Sequence, residues 1–82
     1  MTRTSDTGSL VRYLVTSLVE FPDDVVIEHE DTPDGAVYRV TVNPEDTGKI
    51  IGRQGRIIKS IRTLVRAAGS VDGTSVEVEV VG

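Results

Sequence analysis

The residues whose types and spacing could do chemistry lie in one stretch, Ile50-Ile51-Gly52-Arg53-Gln54-Gly55-Arg56-Ile57-Ile58-Lys59-Ser60-Ile61. Two glycines three positions apart permit a sharp turn. Without a Cβ they also let a ligand approach main-chain N–H groups closely. The apolar residues that follow recur at helical spacing, so a helix begins at this turn. Its unpaired N–H groups and the positive end of its dipole face the same way. Arg53, Arg56 and Lys59 bring positive charge to that end, Lys49 stands just ahead of it, and Gln54 can donate a hydrogen bond. That is chemistry for holding phosphate groups. Glycines at this spacing mean little alone, since eight glycines in 82 residues make a chance pair common. The flanking helical patterns and charges are what discriminate.

Other chemistries find no support. His29, between Glu28 and Glu30, is the only histidine, and strand alternation points the two glutamates away from it. No metal site is therefore expected. With no cysteine there is neither a disulfide nor a thiolate ligand. Gly48-Lys49 lacks the upstream glycine and the following Ser or Thr of a nucleotide-binding loop. Gly48 and Gly52 have the spacing of a membrane-helix packing motif, but their surroundings are too polar and too short. No nucleophile, base and acid come together, so neither an enzyme nor a cofactor is expected.

Charge is distributed unevenly. The formal net charge is −4, yet residues 47–71 hold six basic side chains (Lys49, Arg53, Arg56, Lys59, Arg62, Arg66) and no acidic one. All thirteen acidic residues lie elsewhere. Contact with a phosphate is governed by charges within a Debye length of about 8–10 Å, so the basic segment matters more than the sum.

The elements that position this segment follow from periodicity. Residues 1–8 are polar and expected to be flexible, and one domain is expected over residues 9–82. Ser9 is a plausible helix N-cap, followed by an apolar stripe of Leu10, Val11, Leu14, Val15, Leu18 and Val19 that Pro22 ends. Val25 to Glu30 reads as a strand, Asp31 to Gly35 as a turn, and Ala36 to Val42 as a second strand with Tyr38, Val40 and Val42 on one face. Asn43-Pro44-Glu45-Asp46 has the chemistry of a helix start. The helix it opens is short because Gly52 and Gly55 interrupt it. A second helix is expected from Arg56 to Ala68, with Ile57, Ile58, Ile61, Leu64, Val65 and Ala68 on one face and Arg56, Lys59, Arg62 and Arg66 opposite. Gly69 to Gly73 reads as a short turn without basic residues. Val76, Val78 and Val80 then form the inner face of a last strand. Three helices on one face of a three-stranded sheet would bury every apolar stripe, an α+β fold of two layers.

An apolar pair, Gly-x-x-Gly and then apolar residues at helical spacing resemble the KH signature. The order α-β-β-α-α-β is similar to the bacterial, type II version of that domain, with a mixed sheet. The stretch from Pro44 to Ala68, including Glu45-Asp46, Gly48-Lys49 and Arg62-Thr63-Leu64-Val65-Arg66-Ala67-Ala68, resembles small single-domain bacterial KH proteins of the KhpA type. This resemblance implies a cytoplasmic protein that binds single-stranded RNA with broad specificity, as an RNA chaperone or post-transcriptional regulator. It also implies a homodimer, or a heterodimer with a larger KH-containing protein.

Gly52, Arg53, Gln54, Gly55, Arg56 and Lys59 are the expected RNA contacts, joined by Lys49 and by Ile50 and Ile58 as an apolar floor under the bases. Ile51 is expected in the core. For Arg62 and Arg66, solvent or an acidic partner is as good a reading as RNA. The three aromatics, Tyr13, Phe21 and Tyr38, lie outside the loop, so base stacking should contribute little. The rival reading keeps the KH-like fold but uses it for protein assembly, with RNA binding weak or lost. The N-terminus has no apolar leader, and no apolar run approaches the ~20 residues that span a bilayer, which agrees with a cytoplasmic, soluble protein.

Overall fold

The computed structural model describes residues 7–81. Helix α1 (Thr7–Leu18) is followed by a 3-10 turn at Pro22–Asp24 and a hairpin of β1 (Val26–Thr32) and β2 (Gly35–Thr41). A second 3-10 turn (Pro44–Asp46) leads into the short helix α2 (Thr47–Ile51). Then come the long helix α3 (Arg56–Val71) and strand β3 (Ser75–Val80). The sheet has the order β1-β2-β3. β1 runs antiparallel to β2, from Val26 opposite Thr41 to Thr32 opposite Gly35. β3 runs parallel to β2, from Ser75 opposite Gly35 to Val80 opposite Val40. The three helices cover one face of this mixed sheet, the α+β arrangement expected from the periodicities.

Alternation sorts the strands as the sequence requires. Tyr38, Val40, Val42, Val76 and Val78 point into the core, where they meet Val11 and Val15 of α1, Ile50 of α2 and Ile58, Ile61 and Val65 of α3. Glu77 and Glu79 alternate with Val76 and Val78 and are exposed. The Tyr38 hydroxyl is satisfied by the Thr7 side chain at 2.8 Å, and its ring stacks on His29 of the neighbouring strand at 4.9 Å. His29 is also within 3.1 Å of Asp31.

Several boundaries differ from the sequence expectation, each for a physical reason. Helix α1 already includes Thr7 and Gly8, so Ser9 lies inside it instead of capping it, and most of the terminus expected to be flexible lies outside the described residues. The helix ends at Leu18, four residues before Pro22, because the next backbone N–H groups, of Glu20 and Phe21, turn to a side chain elsewhere. Asp31 and Thr32 belong to β1, since the ladder continues to the hairpin and leaves only Pro33-Asp34 as the turn. Helix α3 runs through Gly69 to Val71. Gly69 is buried there against β3, and a Cβ on it would stand 2.6 Å from Val76 Cγ2. The expected turn shrinks accordingly to the residues around Gly73.

Candidate nucleic-acid interface

The loop between α2 and α3 is built by three residues at positive φ, Gly52, Gln54 and Gly55. Gly52 ends α2 at φ +76°, and its N–H donates to the Gly48 carbonyl at 2.8 Å. A Cβ at Gly52 would stand 2.2 Å from Ile57 Cγ1 and 2.9 Å from the Ile57 backbone nitrogen. Gly52 is therefore required both by its φ and by the start of α3, which folds back over it. Gln54 is the only non-glycine residue at positive φ (59°) among those described. Gly55, also left-handed at φ +73°, is the residue from which α3 departs. The turn holds Arg53 and Gln54 out into solvent while Gly52 and Gly55 are half-buried.

The electrostatics divide the basic residues sharply. Arg53, Arg56 and Lys59 are exposed and have no acidic partner among the described residues. They cluster at the N-terminal end of α3, where the helix dipole adds to their field. Further along the helix Arg66 pairs with Glu77 at 2.8 Å, and Arg62 donates to the Val78 carbonyl at 3.0 Å. Glu77 holds the Arg66 guanidinium above its ordinary pKa. These two arginines fasten α3 to β3.

The sequence-derived site residues come together in part. Gly52, Arg53, Gln54, Gly55, Arg56 and Lys59 form one continuous surface. Ile50 does not join it. It is fully enclosed in the core, so the expectation that it floors a ligand groove is corrected: α2 turns Ile50 inward, and Ile51, expected in the core, is partly buried and packs against it. Ile58 is buried as well, with 6% of its surface exposed, and supports the loop from beneath. The Lys49 ammonium is engaged by Glu20 and lies 3.4 Å from Asp46. The hydrogen bond to Glu20 raises its pKa, against the effect of burial and with further help from Asp46.

Sequence reasoning missed Asp46. Among the described residues it is the only charged one that is buried. Its Oδ1 accepts the Glu20 N–H at 3.0 Å and its Oδ2 the Phe21 N–H at 3.1 Å. Burial pushes its pKa up, but the bonds from Glu20, Phe21 and Lys49 outweigh this and hold the carboxyl below its ordinary value. In the sequence it stands only as an acid of a helix first turn, beside the cap that Asn43 does provide by accepting the Glu45 N–H at 2.8 Å.

The sequence face of α3 is also wider than the face that packs. Ile57 and Leu64 were expected in the core and remain 36% and 53% exposed. The sheet covers only the arc of Ile58, Ile61, Val65 and Gly69. Leu64 borders an open depression of about 390 Å³ with Lys59, Ser60 and Thr63. Among the described residues no helix is long and apolar enough to cross a membrane. No group of three potential metal ligands occurs among them either.

Known proteins place this geometry in context. The family model described as "KhpA/KhpB, KH domain" matches residues 8–80. The "RNA-binding protein KhpA" of Listeria monocytogenes EGD-e is 44% identical over 72 residues, covering 88% of this chain and 95% of the relative. The protein of the same name from Leifsonia xyli is 48% identical over 69 residues, 84% of this chain and 88% of that one. Among solved structures, Era of Aquifex aeolicus bound to GDP and aluminium fluoride superposes with a TM-score of 0.61 at 20% identity. The match covers 90% of this chain and 29% of Era. At that identity it shows the fold alone, a KH-like one. The family is not one of enzymes. With a match over nearly its whole length, the chain belongs to the KhpA/KhpB KH-domain family.

Proposed function

We propose that this protein binds single-stranded RNA through the loop Gly52-Arg53-Gln54-Gly55, with Arg56 and Lys59 as further phosphate contacts. The observation that carries the reading is the cluster of three exposed cations without acidic partners at a helix N-terminus that two glycines leave open. The names of the relatives, RNA-binding proteins all, support it. We read the domain as the type II form of KH, on the order of its elements. The contacts are to backbone, and no aromatic stands in the loop, so recognition has broad sequence specificity and suits an RNA chaperone or post-transcriptional regulator. The cytoplasm is where such an activity would be exercised.

The test is binding of a labelled mixed-sequence single-stranded RNA to the wild type and to Arg53→Asp/Gln54→Asp, with circular dichroism confirming that both are folded. The double variant keeps both glycines and sets two negative charges where phosphate would sit, so it should lose binding. Equal binding by both proteins would move the site elsewhere.

One observation favours an additional use in assembly. Ile57, Leu64 and Val71 recur every seven residues along α3 and stay 36%, 53% and 78% exposed. Residues seven apart lie along one side of a helix, so the three form an exposed apolar row against which another surface can pack. A homodimer, or a heterodimer with a larger KH-containing protein, would cover it and would raise RNA affinity by linking two sites. Light scattering after size exclusion, with and without RNA, decides between the uses. A stable oligomer that ignores RNA would favour assembly as the main role.

A further inference from the structure

Helix α2 is five residues long, far below the length at which a helix holds itself together in water. It has no side-chain N-cap, since Asp46, which precedes it, turns its carboxylate away from the helix. Its attachments are Ile50 in the core, Ile51 packed against it, the ion pair of Lys49 with Glu20, and Asp46. Of these, Asp46 alone ties the helix to a distant part of the backbone. Its two oxygens take the N–H groups of Glu20 and Phe21, at the point where the chain leaves α1. One and a half turns later the same helix delivers Gly52 and the loop.

We infer that Asp46 is a positioning residue for the RNA-binding loop, clamping the start of α2 to the exit of α1 so that the Gly52–Gly55 turn is held in one place. The inference rests on the proposed role of the loop. Lys49 becomes part of the same clamp, lying between Glu20 and Asp46, and is not counted among the free phosphate contacts. A buried carboxylate accepting two main-chain N–H groups is a directional restraint that an apolar side chain in its place would not supply. Taking the carboxylate away leaves these part-buried N–H groups without their partner and releases the start of α2 from the exit of α1.

Electrostatics makes the test sharp, because the two accounts predict opposite signs. Asp46→Asn removes a negative charge from a protein of net charge −4, which by itself favours binding of a polyanion. An amide can still accept one N–H but presents its own NH₂ to the other. The measurement is the affinity of the full chain for labelled mixed-sequence single-stranded RNA, at a temperature where melting curves show wild type and variant fully folded. Positioning predicts that folded Asp46→Asn binds about three- to tenfold more weakly, with the salt dependence unchanged. Affinity equal to or tighter than wild type overturns the inference, because then Asp46 serves stability alone.

Should Asp46→Asn fail to fold, Lys49→Gln carries the test from the exposed side of the clamp. A loss of about two- to threefold with an unchanged salt slope supports the clamp. A slope shallower by about 0.7 identifies Lys49 as a direct phosphate contact and overturns its place in the clamp, and unchanged affinity overturns the inference. If wild type itself binds no RNA, the reading of the loop fails first, and that outcome is distinct from all of these.

Discussion

The open face of the sheet and the N-terminal end of α3 carry arginines in opposite circumstances. On the sheet, Arg39 lies between Glu30 at 2.7 Å and Glu79 at 3.4 Å, and Arg66, from the later part of α3, reaches Glu77 of β3. The hydrogen bond to Glu30, then its charge and that of Glu79, hold the Arg39 pKa above its ordinary value against burial. At the loop, Arg53 and Arg56 project into solvent with no acid near them. Cations already matched by carboxylates have little left to offer a polyanion, whereas cations kept apart from carboxylates stay available. An acidic protein can therefore bind RNA if some cations stand clear of its acids, and here Arg53, Arg56 and Lys59 do so while Lys49 and Arg66, in the same acid-free stretch of sequence, are paired by the fold.

The loop is most vulnerable at Gly52. Replacing it with Ala puts a Cβ 2.2 Å from Ile57 Cγ1 at a φ of +76°, and α3 must shift to relieve the clash. A loss of about 2–4 kcal/mol is expected in denaturant titration, together with loss of RNA binding. A stability within error of wild type would mean that the turn is not shaped as described.

Acidification acts next, through Asp46. The Asp46 pKa is lowered on folding, so its contribution is fully present above the unfolded value, near 3.9, and is lost as pH falls through the folded value. Wild type should therefore lose stability below about pH 4. Asp46→Asn should lose less over the same range, which melts at pH 3 and pH 7 would reveal.

Gln54 offers a smaller effect of opposite sign. Its left-handed backbone costs a non-glycine residue, and Gln54→Gly should stabilise the fold by about 0.5–1 kcal/mol. RNA affinity would then fall modestly with the loss of the side-chain donor. The sheet supplies the smallest effect: Arg39→Gln should leave RNA affinity within about twofold, since the arginine's charge is already matched by Glu30 and Glu79.

Much of this was legible in the residues because period and chemistry agreed. The alternation of Tyr38, Val40 and Val42 against Val37, Arg39 and Thr41, and the run of Ile58, Ile61 and Val65, each have a single reading once the sheet covers one face. The Gly52–Gly55 turn was legible because two glycines stand between two helical patterns, and both take positive φ. What escaped depended on contacts distant in sequence or on very short elements. Helix α2 is too brief for periodicity to say whether Ile50 or Ile51 faces inward. The apolar arc of α3 exceeds the width the sheet covers, so Ile57 and Leu64 were assigned to a core that does not reach them. Asp46 pairs with backbone 25 and 26 residues away, which local pattern does not show. Its spacing from Lys49, three positions along a helix, was the one signal available.

The most direct measurement is the salt dependence of wild-type binding to a mixed-sequence single-stranded RNA. Three phosphate contacts, from Arg53, Arg56 and Lys59, at roughly −0.7 each predict a slope of log K against log salt of about −2. Arg53→Ala should make that slope shallower by about 0.7. A wild-type slope near zero would contradict the account, because the free cations at the loop would then not be what holds RNA.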